Sequence, residues 1–149
     1  MRERAKLAVL ARLIEVQHVR RAEAEAELAL AAQGEREAKA AEDEARTRTD
    51  ESRGDWQACI AAPGFSPAWS MSLSGRLILR EREQQDFADA MVVATGLRQT
   101  RQANWQGLEA QVRHGEDTSR RLKRRIARRV DEKAIGEAAD RTTRDWCRP

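Results

Sequence analysis

Apolar side chains recur in this chain with a seven-residue period, in alternating steps of three and four. Counted from Leu7, the steps run through Ile14, Ala24, Ala31 and Ala45 to Trp56, and nine of the fifteen positions are apolar. Counted from Leu73, they run through Phe87, Met91, Trp105 and Val112 to Lys133, and ten of eighteen are apolar. A heptad sustained over this length requires helices that supercoil around one another, each burying a narrow seam. Composition agrees with a seam rather than a round core: charged residues are 36%, aromatics 4%, and Tyr is absent. Disorder, the other state open to so polar a chain, does not carry a helical period. Proline stands only at positions 63, 67 and 149. Many seam positions are Ala and several are charged, so each heptad buries little area and adds little stability. The expected product is a marginal, flexible pair of helices that relies on partners for rigidity.

The one strong break is Ala61-Ala62-Pro63-Gly64-Phe65-Ser66-Pro67. Pro63 forces Ala62 out of the helical region, Gly64 suits a turn, and Ser66-Pro67 has the form of an N-cap followed by a first helical residue. The sequence therefore predicts an all-α fold, a two-helix antiparallel coiled-coil hairpin with the second helix longer, over residues 1–149. Helix 1 covers about 3–61, the turn 62–66, and helix 2 about 67–144. Folding about Phe65 pairs residue i with a residue near 130 − i, makes helix 1 roughly 80 Å long, and leaves roughly the last 15 residues unpaired. The expected rod has a tip around 56–75 and a base where both termini meet. Gly34, Gly54, Gly96, Gly107, Gly115 and Gly136 each weaken a helix by roughly 1 kcal/mol relative to Ala, but none has a neighbouring Pro, so the helices are expected to run through them.

No run approaches the roughly 20 apolar residues of a membrane span. The N-terminal MRERAKLAVLARLIEV has no continuous apolar core or cleavage site of a leader and is expected to begin helix 1. Cys59 and Cys147 would lie at opposite ends of a hairpin, beyond disulfide reach, which points to free thiols and a reducing cytosol.

Charge is divided along the sequence. Residues 1–21 hold six basic and two acidic residues, and 120–149 hold eleven basic and five acidic, so the expected base carries +10 and the remainder −7. Two basic segments held together repel, a cost that an acidic partner relieves. The densest run, Arg120-Arg121-Leu122-Lys123-Arg124-Arg125-Ile126-Ala127-Arg128-Arg129, reads as a solvated face, as a phosphate-neutralising surface, or as a surface for an acidic protein. The nucleic-acid reading is disfavoured by the absence of interleaved aromatics and by the acidic middle. No nucleic-acid partner is expected.

Catalytic signatures are missing: there is no phosphate loop, CxxC, HExxH or GxSxG pattern. The acidic clusters have no apolar pocket to raise a carboxylate pKa, and a two-helix seam offers no cleft. Neither an enzyme, a cofactor, a metal nor a small-molecule substrate is expected. The hairpin register brings His18 near His114, with Glu15 and Glu116 close by. A metal site is conceivable there, but polar residues that fix coiled-coil register explain it more simply. Trp105 falls on the seam. Trp56 and Trp69 either pack together to close the tip or, with Phe65 and Leu73, form an exposed anchor patch. Trp146 is a candidate contact in the unpaired tail.

The segment from Arg129 to Arg141 resembles the C-terminal pattern of the flagellar export protein family FliJ. Glu132, Lys133, Ile135, Glu137, Ala138 and Arg141 fit that pattern, while Gly136 departs from it where the family usually has an acidic residue. Chain length, a Leu-rich first helix, a mid-chain break and an Arg-rich second helix extend the likeness to the whole chain. The YscO-type injectisome stalk proteins are compatible with most of it. The resemblance implies a non-enzymatic component of the type III protein export apparatus, a stalk-like coiled coil linking the export ATPase hexamer to the cytosolic domain of the export gate. It also implies binding of export chaperones and a cytoplasmic place at the inner membrane, touching the membrane only through the export complex. On this reading Leu7, Leu10, Arg12, Arg121, Arg124, Arg125, Arg128, Arg129 and Asp131 meet the ATPase ring. Trp56, Phe65, Trp69, Leu73 and Leu77 meet the gate. The alternatives are a structural coiled-coil scaffold or spacer, an injectisome stalk protein and, third, a basic nucleic-acid-binding helix protein.

Overall fold

The computed structural model describes residues 2–146; side chains of Arg2, Arg144 and Asp145 lie outside the description, as does Cys147 with the reading placed on it. The fold is a two-helix antiparallel hairpin of α1 (Arg2–Ala61) and the longer α2 (Pro67–Trp146). Among the described residues there is no strand. α1 ends at Ala61 and α2 begins at Pro67. Ser66 caps α2: its hydroxyl accepts from the Trp69 amide at 3.5 Å and its carbonyl from the Ser70 amide at 2.9 Å. Gly64 lies in the turn without a positive φ, and a Cβ there would meet nothing within 4 Å, so neither left-handed geometry nor close packing requires glycine at this position. The helices run unbroken through their glycines, and helical threonines such as Thr47, Thr100 and Thr118 return their hydroxyls to the carbonyl four residues back, which satisfies a group that otherwise competes with the helix.

The chain divides into two units. The turn unit, Ala24–Asn104, contains the connection between the helices. The terminal unit is formed by the chain up to Glu23 and from Trp105 onward. In the turn unit the core is Ala24, Ala31, Ala45 and Leu73, with Thr49 fully buried and Ser52 nearly so. Thr49 directs its hydroxyl to the Ala45 carbonyl at 2.9 Å and across to the Arg80 carbonyl at 3.2 Å, so a polar group sits in the seam without an unmet bond. Ion pairs bridge the two helices at Glu27–Arg101 (2.7 Å), Glu35–Arg98, Arg53–Glu81 (3.2 Å) and Asp55–Arg76 (2.9 Å). Partner numbers in these pairs sum to between 128 and 134, the register expected from the turn.

In the terminal unit Val112, Gly115 and Ser119 are buried. A Cβ on Gly115 would lie 3.1 Å from Ile14 Cγ1, the closest approach at any glycine among the described residues. Arg21–Glu109 at 3.0 Å and Glu3–Arg129 at 2.9 Å bridge the helices. Exposed pairs of this kind contribute about 0–1 kcal/mol each. Their value is positional, because a slip of one residue would separate every one of them. The chain exposes 11763 Å², whereas a compact monomer of 16.9 kDa exposes about 7,700 Å².

Candidate functional site

Two surfaces follow from this packing, one in each unit. The terminal unit gathers the basic side chains. Its two segments contain eighteen basic and eleven acidic residues, a net +7, against ten and fourteen in Ala24–Asn104, a net −4. Arg12, Arg121, Arg124, Arg125, Arg128 and Asp131 are exposed, and so is Arg129. Among the described residues only Arg129 of these seven has an ion-pair partner, Glu3. Arg124, Arg125 and Arg128 thus project three cations over about one helical turn, with no carboxylate paired to them among the described residues. Leu7 and Leu10 are half-buried on the seam and offer only an edge to a partner. From Ala127 onward every described residue is exposed, so the seam positions Arg129 and Lys133 have no helix opposite them that excludes water. The overshoot expected for the second helix explains this. Trp146 lies in the same stretch, 87% exposed.

His18 is half-buried, its Nε2 at 3.4 Å from Glu116. His114 is exposed and gives its carbonyl to Thr118. The histidine pairing expected from the register is therefore a His–carboxylate pairing. Among the described residues no group of three or more His, Cys, Asp or Glu side chains is placed to hold a metal. Glu109 sits between Arg21 and Arg113, accepting from both at 3.0 and 3.1 Å. Arg21 first, and then Arg113, holds its carboxyl below the ordinary glutamate range.

In the turn unit the aromatic candidates separate. Trp69 and Phe65 are 59% and 50% exposed, and Trp69 lies along a groove with Ala58, Cys59 and Arg76. Trp56 and Leu77 are half-buried. Leu73 is only 5% exposed. It belongs to the core, which corrects its place as a contact residue: the seam period that includes Leu73 also buries it. A second apolar feature was overlooked by a reading confined to the seam. Val9 and Leu13 lie one residue before Leu10 and Ile14 and line an open apolar groove with Leu122. Their spacing continues to Val16, so the signal was present in the sequence one position out of frame.

Among the described residues no helix is long and apolar enough to cross a membrane. Compared with known proteins, the chain matches no family model, no curated protein and no solved structure.

Proposed function

We propose that the protein is a non-enzymatic, stalk-like component of a type III protein export apparatus, working at the cytoplasmic face of the inner membrane. The observation that carries the reading is the set of exposed, unneutralised arginines 124, 125 and 128 on a unit of net +7 that holds both ends of the chain. It is joined by the resemblance of the adjoining segment, Glu132 to Arg141, to the FliJ pattern. A cationic helix pair suits the lumen of a ring lined with acidic groups, because opposite potentials both steer and orient the encounter. The ATPase hexamer is the partner assigned to this surface. The gate's cytosolic domain is assigned to Phe65 and Trp69, with Trp56 and Leu77 at the margin, since aromatic anchors exposed on a helical scaffold are efficient contacts. Export chaperones complete the set of partners.

The test is ATP hydrolysis by the cognate export ATPase, titrated with this protein, alongside the mass of the complex. Stimulation with one chain per hexamer is expected, and a variant with arginines 124, 125, 128 and 129 changed to Glu is expected to lose it. Unchanged stimulation by that variant would overturn the assignment of the surface. No binding and no stimulation would leave a coiled-coil scaffold.

A further inference from the structure

In a two-stranded coiled coil each helix has one narrow apolar seam, and the positions beside it carry charge. The latter part of α1 obeys this. The residues one before each seam position are Glu37, Ala41, Glu44, Arg48, Glu51 and Asp55, all but one charged. In the terminal unit the same flank reads Lys6, Val9, Leu13, Val16, Arg20 and Glu23: three aliphatic side chains bracketed by two bases, with one acid where the α1 segment of the unit ends. Val9, Leu13 and Val16 are 69%, 52% and 50% exposed. Together with Leu7, Leu10 and Ile14 they widen the apolar arc of α1 to roughly 180°, at 100° per residue. An arc of that width serves a helix with two neighbours, and here α1 has one, α2.

The consequence is a groove on one face of the unit, lined by Ala5, Val9, Leu10 and Leu13 of α1 and by Thr118 and Leu122 of α2, with Lys6 at its edge. The other face is polar, lined by Glu15, His18, Glu116, Arg120 and Lys123. Charge identifies what fits the groove. On the α2 side, Arg121 and Arg125 precede the seam residues Leu122 and Ile126 as Val9 precedes Leu10, and the flank carries no acidic residue between 6 and 20 or at 111, 114, 118, 121 and 125. Among the described residues Lys6, Arg20, Arg121 and Arg125 make no ion pair, while Arg21, Arg113 and Arg120 in the same unit do. A second copy would bring its own +7 unit to the same seat.

We infer that this groove is the seat of a third helix supplied by a partner protein, an amphipathic helix with aliphatic residues at i, i+3 or i+4 and i+7 and with Asp or Glu beside them. Lys6 to Arg20 spans about 21 Å, four turns of such a helix. Arg125 borders both this groove and the arginine run at 124–129, but the groove's lining and the residues varied to test it lie outside that run, so the surface stands on its own geometry, independent of the export reading.

A labelled helical peptide of about 18 residues, with a leucine stripe at that spacing and Glu on its flanks, is titrated with the full chain by fluorescence anisotropy, beside a twin in which Lys replaces Glu. The Glu peptide is expected to bind saturably and the Lys twin roughly tenfold or more weakly, about 1.4 kcal/mol. Val9→Ser with Leu13→Ser is expected to weaken the Glu peptide by a similar factor with helix content unchanged, because both side chains are already exposed. Lys6→Glu with Arg20→Glu is expected to invert the preference between the two peptides. Equal affinity for the twins, no peptide binding, or indifference to the groove variant would overturn the inference. Two further outcomes would also overturn it: self-association abolished by the groove variant would make the occupant a second copy, and binding to phosphatidylglycerol vesicles in place of the peptide would make the face a lipid surface.

Discussion

A single methyl group tests the packing of the terminal unit at its tightest point. On Gly115 a Cβ would lie 3.1 Å from Ile14 Cγ1, 3.3 Å from Gln17 Oε1 and 3.7 Å from Ile14 Cδ1, while on Gly107, in the same unit, it would meet nothing within 4 Å. In a helix interior Ala is favoured over Gly by about 1 kcal/mol, so Gly107→Ala is expected to stabilise by about that much. At position 115 the same gain is opposed. Gln17 Oε1 is the end of a flexible side chain, has no hydrogen-bond partner and loses nothing by swinging away. Ile14 has no such freedom, because branching at Cβ fixes its χ1, and its Cγ1 retreats only if the helices part by a few tenths of an ångström. Overpacking of this kind costs about 1–3 kcal/mol. The net for Gly115→Ala therefore runs from neutral to about 2 kcal/mol destabilising, leaving it at least about 1 kcal/mol below Gly107→Ala. Urea unfolding followed by circular dichroism measures the gap, and an unchanged m-value shows that the same surface is exposed in both variants. In thermal unfolding the gap is roughly 3 °C per kcal/mol for a chain of this length. Ile14→Ala combined with Gly115→Ala is expected to recover the steric part as a coupling energy. Equal stabilisation by the two glycine variants would refute the register in which Gly115 faces Ile14.

Two further expectations concern the polar groups of the seam. Thr49→Val keeps the shape of the most buried side chain but removes its hydrogen bonds to Ala45 and Arg80; the cost is expected to be about 1 kcal/mol by urea unfolding, and a stabilised variant would show that the hydroxyl contributes nothing across the seam. Glu109 has a folded-state pKa below its ordinary 4.5 because Arg21 and Arg113 donate to it, so its contribution is complete above the unfolded pKa and disappears as pH falls through the folded one. Glu109→Gln is expected to be less stable than the parent at neutral pH and to converge with it on acidification below that range, and a pH-independent difference would show that the charge of Glu109 plays no part.

The fold was legible because its governing signal is periodic. All fifteen seam positions from Leu7 to Trp56 are buried or half-buried, and so are those from Leu73 to Ile126. The period fails only at Arg129 and Lys133, where few residues of α1 remain opposite α2. The charged seam positions were harder to read. Arg98, Arg101 and Glu35 look like interruptions of a hydrophobic repeat, yet each reaches a partner on the other helix, and the stems of the arginines cover the seam while their heads remain in water. Only the turn, by setting which residues face one another, identifies those partners. Burial of Leu73 was implied by its heptad place and obscured by its closeness to Trp69 and Phe65, since position along the chain does not tell which side of a helix a residue occupies.

The apolar flank was missed for a related physical reason. A heptad reading asks whether two positions in seven are apolar, and Val9, Leu13 and Val16 are neither of those two. Their significance lies in the contrast with Glu37, Glu44 and Glu51, which occupy the equivalent flank in the turn unit. Each unit has a seam, and the two differ in what stands beside it. In the turn unit charge borders the seam, and two of those flanking charges, Arg48 and Asp55, are met across it by Glu83 and Arg76. In the terminal unit the bordering positions are aliphatic on one face, and bases at 6, 20, 121 and 125 remain unpaired among the described residues. Exposed aliphatic area and unpaired charge each carry a cost in the isolated chain that a single helix of opposite charge would remove together. A core this small cannot offset that cost by burial elsewhere, and this is the physical ground for seating the inferred partner helix in the terminal unit's groove rather than in the seam.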